Sequence, residues 1–174
     1  MLSTAVICFE VKKQECNTVH VVSWYTLFMI IVSACLAGKK CNYSGSDTPC
    51  PKVKALIDVG EAIAVCPEVL AGLPTPRESC EQHNGKIITK DGKDLTVVFE
   101  RGAQLALQIA KEKQCTKAIL KSYSPSCGSD EVYDGTFTHT IVQGNGVFAQ
   151  LLKDAGIEVV SDKKTRKQHN LFDK

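Results

Sequence analysis

Four short runs of apolar, mostly β-branched residues punctuate the chain: "MIIVSA" (29–34), "EAIAV" (61–65), "KAIL" (117–120) and "IEVV" (157–160). Short bounded runs of this composition read as strands. Between them the pattern changes to a helical one. "DLTVVFERGAQLALQIAKEKQ" (94–114) repeats apolar residues on one face through Val98, Leu105 and Ile109. "PKVKALID" (51–58) reads as a shorter helix opened by Pro49 and Pro51. "VFAQLLKDAG" (147–156) reads as another, stopped by Gly156 at C′. Strands alternating with helices predict right-handed crossovers and a mostly parallel sheet.

Two stretches interrupt that alternation. "GLPTPRESCEQHNGKIITKDGKD" (72–94) is a long excursion before the main helix, with a small hairpin expected at "KIITKDG". "EVYDGTFTHTIVQGNG" (131–146) alternates polar and apolar residues, the mark of a short strand or hairpin. Residues 1–28 lack the strand–helix organisation of the rest of the chain, and there is no internal repeat or low-complexity segment. The expected division is an extension at 1–28, a core domain at 29–162 and a basic tail at 163–174. The tail, within "SDKKTRKQHN", reads as a solvated end. The fold class is α/β: one three-layer, Rossmann-like domain with a small hairpin insertion.

A length of 174 residues suits one domain with a sizeable core. The net charge of +2 and the 6 % of aromatic residues leave no nucleic-acid footprint. Nine cysteines change the picture. Their odd number leaves one unpaired in any complete disulfide framework, and a chain this long does not need disulfide staples. In a reducing compartment the uses left are metal binding, catalysis or burial as small apolar groups. No Cys-x-x-Cys pair occurs, so a metal site must gather cysteines distant in sequence.

Position singles out three of them. Cys35 follows the first strand, Cys66 the second, and Cys127 lies a few residues beyond the third. Ligands of open parallel sheets bind outside the carboxyl ends of the strands, where strand order reverses. Three thiols therefore meet at one edge, or else three small residues fill tight turns; both readings stand on the residues alone. Cys8 and Cys16 lie in the extension, Cys115 closes the main helix as packing, and Cys41, Cys50 and Cys80 fall in loops. Of these, Cys41 and Cys80 are the ones able to approach the same edge.

"VSACLAG", "VCPEVLAGLPTPR", "ITKDGKDLT", "LKSYSPSCGS", "YDGTFTHT" and "GNGVFAQLLKDAGIEV" resemble, in order and spacing, the domain of unknown function 523 family. That family includes the bacterial 2-thiouracil desulfidases, and the resemblance runs from about Met29 to about Val160. It implies a cytoplasmic α/β domain in which Cys35, Cys66 and Cys127 bind a 4Fe–4S cluster. It also implies non-redox removal of sulfur from a thiocarbonyl, such as 2-thiouracil to uracil plus sulfide. Fe–S clusters are ordinarily held by four thiolates, so three leave one iron with an open position. That iron is a Lewis acid toward sulfur.

On this reading Glu68 of "CPEV" is the proton carrier, the alternative being a helix-start carboxylate. A carboxyl beside an anionic cluster is expected to have a raised pKa. Ser124 and Ser126 are candidates to bind substrate or cluster sulfur, against routine loop capping, with Ser33 a weaker one. The N–H groups near Gly128 and Ser129 offer an anion-friendly turn. Tyr133 or Phe137 could stack on a planar base, although aromatics there are more often core.

The chain departs from many relatives at Asn42 and Ser44 of "NYSG", where "RYDG" is common, and at Tyr123, where arginine is common. Both changes remove positive charge near the site. His139 is an added titratable group with no assigned role. The partner expected is a small thiolated pyrimidine or related thioamide, with nucleic acid limited to thiolated RNA fragments, no membrane, and a monomer or homodimer. Two other uses of the same cysteines compete: a non-catalytic Fe–S sensor or sulfide carrier, and a zinc hydrolase.

"VSAC" imitates a lipoprotein cleavage box, but Glu10, Glu15 and His20 precede it where a compact basic region belongs. As a membrane span the apolar stretch falls short of the ~20 residues needed. Met29 therefore reads as a natural start, and residues 1–28 as an added or upstream segment.

Overall fold

The computed structural model describes residues 29–167. The expectations for residues 1–28, Cys8 and Cys16 among them, and for residues 168–174 lie outside the described residues. In chain order the elements begin with β1 (Met29–Ser33), a 3₁₀ turn (Ala34–Ala37), α1 (Pro51–Asp58), β2 (Ala62–Val65) and α2 (Pro67–Leu70). The hairpin β3 (Cys80–His83) and β4 (Lys86–Thr89) leads to α3 (Thr96–Glu112) and β5 (Cys115–Leu120). A second hairpin, β6 (Glu131–Tyr133) and β7 (Ile141–Gln143), precedes α4 (Val147–Asp154), β8 (Glu158–Ser161) and α5 (Asp162–Lys167).

Four parallel strands make the central sheet in the order β2-β1-β5-β8. All four are the apolar runs read as strands. The chain steps from β1 outward to β2, then returns past β1 to add β5 and β8 on the other side. Strand order thus reverses between β1 and β5, and the loops leaving them part to open a crevice.

Alternate residues of β1 serve two cores. Ile30 and Val32 pack with Val53 and Leu56 of α1. Ile31 packs with Ala103, Ala106 and Ala110 of α3 and with Phe148 and Leu152 of α4. Phe99 and Phe148 are the largest fully buried side chains. Each contributes roughly 1.5–3 kcal/mol of apolar burial.

Three expectations need correction. The buried face of α3 runs through Phe99, Gly102, Ala103, Ala106 and Ala110. Val98 and Ile109 lie at its margin, and Leu105 is exposed. Small residues win that face because the helix packs so closely. A Cβ on Gly102 would sit 2.1 Å from the Pro67 carbonyl oxygen, so glycine alone lets α2 dock there.

The small hairpin expected at "KIITKDG" is present: the chain turns back there, the Thr89 amide donating to the Lys93 carbonyl at 3.0 Å and Ile88 bridging Asp94 antiparallel. β3 pairs antiparallel with β4 through a turn at Asn84 and Gly85, both with positive φ (49° and 77°). Those angles suit the Asn-Gly turn that joins two-residue hairpins. Cys115 opens β5 rather than closing the helix, although it is packed as expected.

The chain from 163 to 167 is not a free tail. It belongs to α5, where Thr165 is fully buried. Arg166 donates to the Thr48 and Pro49 carbonyls, and Lys52 donates to the Thr165 carbonyl.

Candidate active site

Each thiol expected at the sheet edge is delivered there by a short local device. Ser33 ends β1, and the 3₁₀ turn after it carries Cys35 and stops at Gly38, whose φ is 86°. Cys66 is the N-cap of α2, and Pro67 at the first helical position forces the chain to turn straight after it. Cys127 sits in the loop after β5, which is held against the start of α4. The amides of Val147 and Phe148 donate to the carbonyls of Pro125 and Ser126, satisfying helix N–H groups that have no side-chain cap. Gly146 makes this possible: a Cβ there would lie 2.4 Å from the Ser126 carbonyl.

The three thiols meet in a cavity of about 570 Å³, whose wall also includes Cys41, Cys80, Glu68, Lys121 and Ser124. Cys35 and Cys127 are buried and Cys66 half-buried. Burial raises Cys35 and Cys127, and each is pushed further up by charge on the neighbouring site thiols. Ser33 lies beside Cys127 and lowers its thiol, and its hydroxyl accepts the Lys121 amide at 2.9 Å, tying the end of β1 to the end of β5. Thr48 lies beside Cys35 and lowers its thiol, while its buried hydroxyl has no oxygen or nitrogen partner.

Glu68 is present on the wall but is not alone. The Arg77 guanidinium grips its Oε2 from Nε at 2.8 Å and from Nη2 at 2.7 Å. Nη2 also donates to the Cys41 carbonyl at 3.0 Å, and Nη1 to the Pro74 carbonyl at 3.1 Å. Both side chains are largely buried, at 6 % exposure for Arg77 and 15 % for Glu68. Burial pushes the Glu68 carboxyl up, and the Arg77 charge opposes it. The sequence pointed to Glu68 without this cation. The available signal was an arginine closing a proline-rich turn nine residues on, which identifies no partner by itself.

The serines divide. Ser124 lines the cavity, and its Oγ accepts the amides of Ser126 and Cys127, both at 3.1 Å. That is loop capping, and it leaves the hydroxyl proton free to donate. Ser126 is fully buried and is not part of the cavity wall, so the structure does not bring it to the site. The Gly128 amide is taken by the Ser124 carbonyl at 2.8 Å and is not open to an anion.

Tyr133 and Phe137 both reach the wall. His139 is exposed at the rim, edge-on to the Tyr133 ring at 6.1 Å. Tyr123 stacks on Tyr133 at 5.5 Å and bonds Lys163 Nζ through its hydroxyl. Asn42 and Ser44 are partners, the Ser44 hydroxyl donating to Asn42 Oδ1 at 3.0 Å. The cation and carboxylate of the common motif are thus replaced by a neutral hydrogen-bonded pair.

The donor set fits an iron–sulfur cluster better than a single ion. Among the described residues no three His, Cys, Asp or Glu side chains form a site for one metal ion. Yet three thiols feel one another across a single cavity, with Thr48 Oγ1 and Ser33 Oγ beside two of them.

A doubly wound α/β domain with a thiol-lined crevice at its switch point defines the class. The profile of the 2-thiouracil desulfurase family matches residues 30–164, and the chain belongs to that family. It is 43 % identical to the uncharacterised protein YbbK of Bacillus subtilis (strain 168) over 144 residues, 77 % of this chain and 95 % of YbbK. Among solved structures it is similar to the 4Fe–4S-dependent thiouracil desulfidase TudS. The TM-score is 0.74 at 41 % identity, covering 78 % of this chain and 91 % of that one. Among the described residues no helix is long and apolar enough to cross a membrane.

Proposed function

We propose that this chain hydrolyses the thiocarbonyl of a thiolated pyrimidine, with 2-thiouracil giving uracil and sulfide. The observation that carries this is the convergence of Cys35, Cys66 and Cys127 on one cavity with Glu68 beside them. Those three thiolates would hold a 4Fe–4S cluster; when bound, it supplies an open iron position acting as a Lewis acid toward sulfur.

The remaining work falls to the chain's own groups. Arg77 fixes Glu68 through Oε2, and no described residue donates to Oε1. Glu68 Oε1 takes a proton from the attacking water and returns it to the departing sulfur. The net change is C=S plus H₂O to C=O plus H₂S, with no electron transferred. Ser124 directs its free hydroxyl proton to a ring carbonyl, and Tyr133 or Phe137 covers the ring face. The closed wall around Glu68 limits competing water. This reading places the reaction in the cytoplasm, where thiols stay reduced.

The test is anaerobic purification with iron and acid-labile sulfide analysis, then incubation with 2-thiouracil. Uracil and sulfide should appear in equal amounts. A fully loaded protein that releases neither would leave a sensor or carrier instead, and bound zinc without labile sulfide would leave a zinc hydrolase.

A further inference from the structure

Two cavity cysteines remain after the three cluster positions are assigned. They differ in what they touch. The Cys80 Sγ approaches the Glu78 carbonyl at 3.8 Å, within its own segment. Cys41 instead lies against a site thiol: the Cys66 Sγ is 3.7 Å from the Cys41 carbonyl oxygen, and both residues line the same cavity. The loop that brings it there is fixed. Arg77 Nη2 holds the Cys41 carbonyl, and Asn42 Oδ1 accepts the amides of Ser44 and Ser46 at 3.1 and 2.8 Å. A site thiol resting on the backbone of a second half-buried cysteine, on one cavity wall, brings the two side chains within reach of a bond.

We propose that Cys41 is the resolving thiol for Cys66, so that the cluster-free chain forms a reversible Cys41–Cys66 disulfide on exposure to peroxide. The proposal rests on the assignment of Cys66 as a cluster position. Hydrogen peroxide oxidises the Cys66 sulfur to a sulfenic acid and is reduced to water. The Cys41 sulfur then attacks that sulfur, the S–S bond forms and a second water leaves. In total two thiols and one peroxide give one disulfide and two waters.

Exposure supports the choice of pair. Cys41 and Cys66 are both half-buried, whereas Cys35 and Cys127 are buried, so an oxidant from solvent reaches Cys66 before the other two. Without a resolving thiol, a sulfenic acid at Cys66 proceeds to sulfinic and sulfonic acids that ordinary thiols do not reverse. The disulfide stops that ladder and shuts off cluster loading until it is reduced. Desulfuration would then respond to oxidative conditions through loss of a ligand.

The test uses the full chain stripped of iron by chelation, treated with one equivalent of hydrogen peroxide, alkylated and mapped by mass spectrometry. The Cys41 and Cys66 thiols should disappear together, and one linked peptide pair should join "KKCNYSG" to "AVCPEV". Dithiothreitol should restore iron uptake. C41S, kept anaerobic, should load as much iron as wild type. After two equivalents of peroxide it should carry sulfinic acid at Cys66 and no longer load iron after reduction.

Linkage of Cys66 to Cys35, Cys80 or Cys127 in the wild type would overturn the proposal. So would C41S recovering iron uptake as fully as wild type. Poor iron loading by C41S before any oxidant would make Cys41 a ligand and overturn it as well. None of these measurements depends on turnover of 2-thiouracil. If C66S loaded iron normally, the cluster assignment would fail while the disulfide map stood.

Discussion

Cys115 and Cys127 bracket the same strand, β5, one at its amino end and the other beyond its carboxyl end. They are equally hidden, at 6 % and 5 % exposure. Burial is the sole cause that raises the Cys115 thiol, to about 11, and its surroundings are alanine, leucine, isoleucine and phenylalanine. Cys127 is raised by burial too, but Ser33 pulls it down while Cys35, Cys66 and Glu68 push it up. One cysteine is a small apolar residue in a core and the other belongs to a site. Burial does not separate them; the neighbours do.

The contrast extends to how the two ends of β5 are held. The amino end is packed. The carboxyl end is strapped by polar bonds: Lys121 N–H to Ser33 Oγ at 2.9 Å and Ser122 N–H to Asp162 Oδ1 at 2.8 Å. Polar bonds aim a loop where packing cannot, because they fix direction as well as distance.

The sharpest way to break the comparison is to exchange the fates of the two cysteines. C127S should lose essentially all cluster iron and all turnover, while C115A should keep both. Iron and labile-sulfide analysis of the two anaerobic proteins decides it, and loss of iron in C115A would erase the distinction.

Next comes E68Q, expected to retain wild-type iron while sulfide release falls by roughly 10²- to 10⁴-fold, the usual worth of a positioned proton carrier. Unchanged turnover would remove Glu68 from the chemistry and leave it a partner of Arg77.

A third substitution tests how closely α2 is docked beneath Cys66. G102A places a methyl 2.1 Å from the Pro67 oxygen and should cost about 1–3 kcal/mol in a urea titration. Iron content should fall with it, since Cys66 directly precedes Pro67.

The polar strap is sensitive to pH and the packed end is not. Burial alone would push the Asp162 carboxyl up, but the Ser122 amide, Lys121 and Arg166 outweigh it and hold the group below its ordinary range. A depressed carboxyl binds fewer protons in the native state. Its contribution is therefore whole above the unfolded value of about 3.9 and fades as pH falls from there through the folded pKa. D162N should lower stability by about 2 kcal/mol at neutral pH, with the gap to wild type narrowing below roughly pH 4. Urea midpoints measured across that range would show it; a constant gap would mean that the charge is irrelevant. The smallest effect is again C115A, about 1 kcal/mol of lost packing, the same at every pH below thiol ionisation.

Much of the frame was legible. The four apolar runs are the four sheet strands, and Gly156 at C′ adopts the positive φ of 77° that stops α4. The hairpin at "KIITKDG" was legible too, and so was the Asn84–Gly85 turn that pairs β3 with β4, an Asn-Gly signal that went unread. The face of α3 was not, because alanines and a glycine give a weak periodic signal and close packing selects them only once a neighbour is in place. α5 read as a tail for the same reason: a basic hexapeptide has no apolar stripe, and its anchor is one buried threonine with carbonyls far back in the chain.

The sequence by itself determined the strand–helix alternation and the placing of Cys35, Cys66 and Cys127 on strand ends, because hydrophobic period and proline are local properties. Only the tertiary structure decided that Arg77 grips Glu68, that Ser126 stays out of the cavity wall, and that the Cys66 thiol rests on the Cys41 carbonyl. Those are contacts between loops whose ends are set by the order β2-β1-β5-β8. No local propensity encodes which loops will face one another across a switch point.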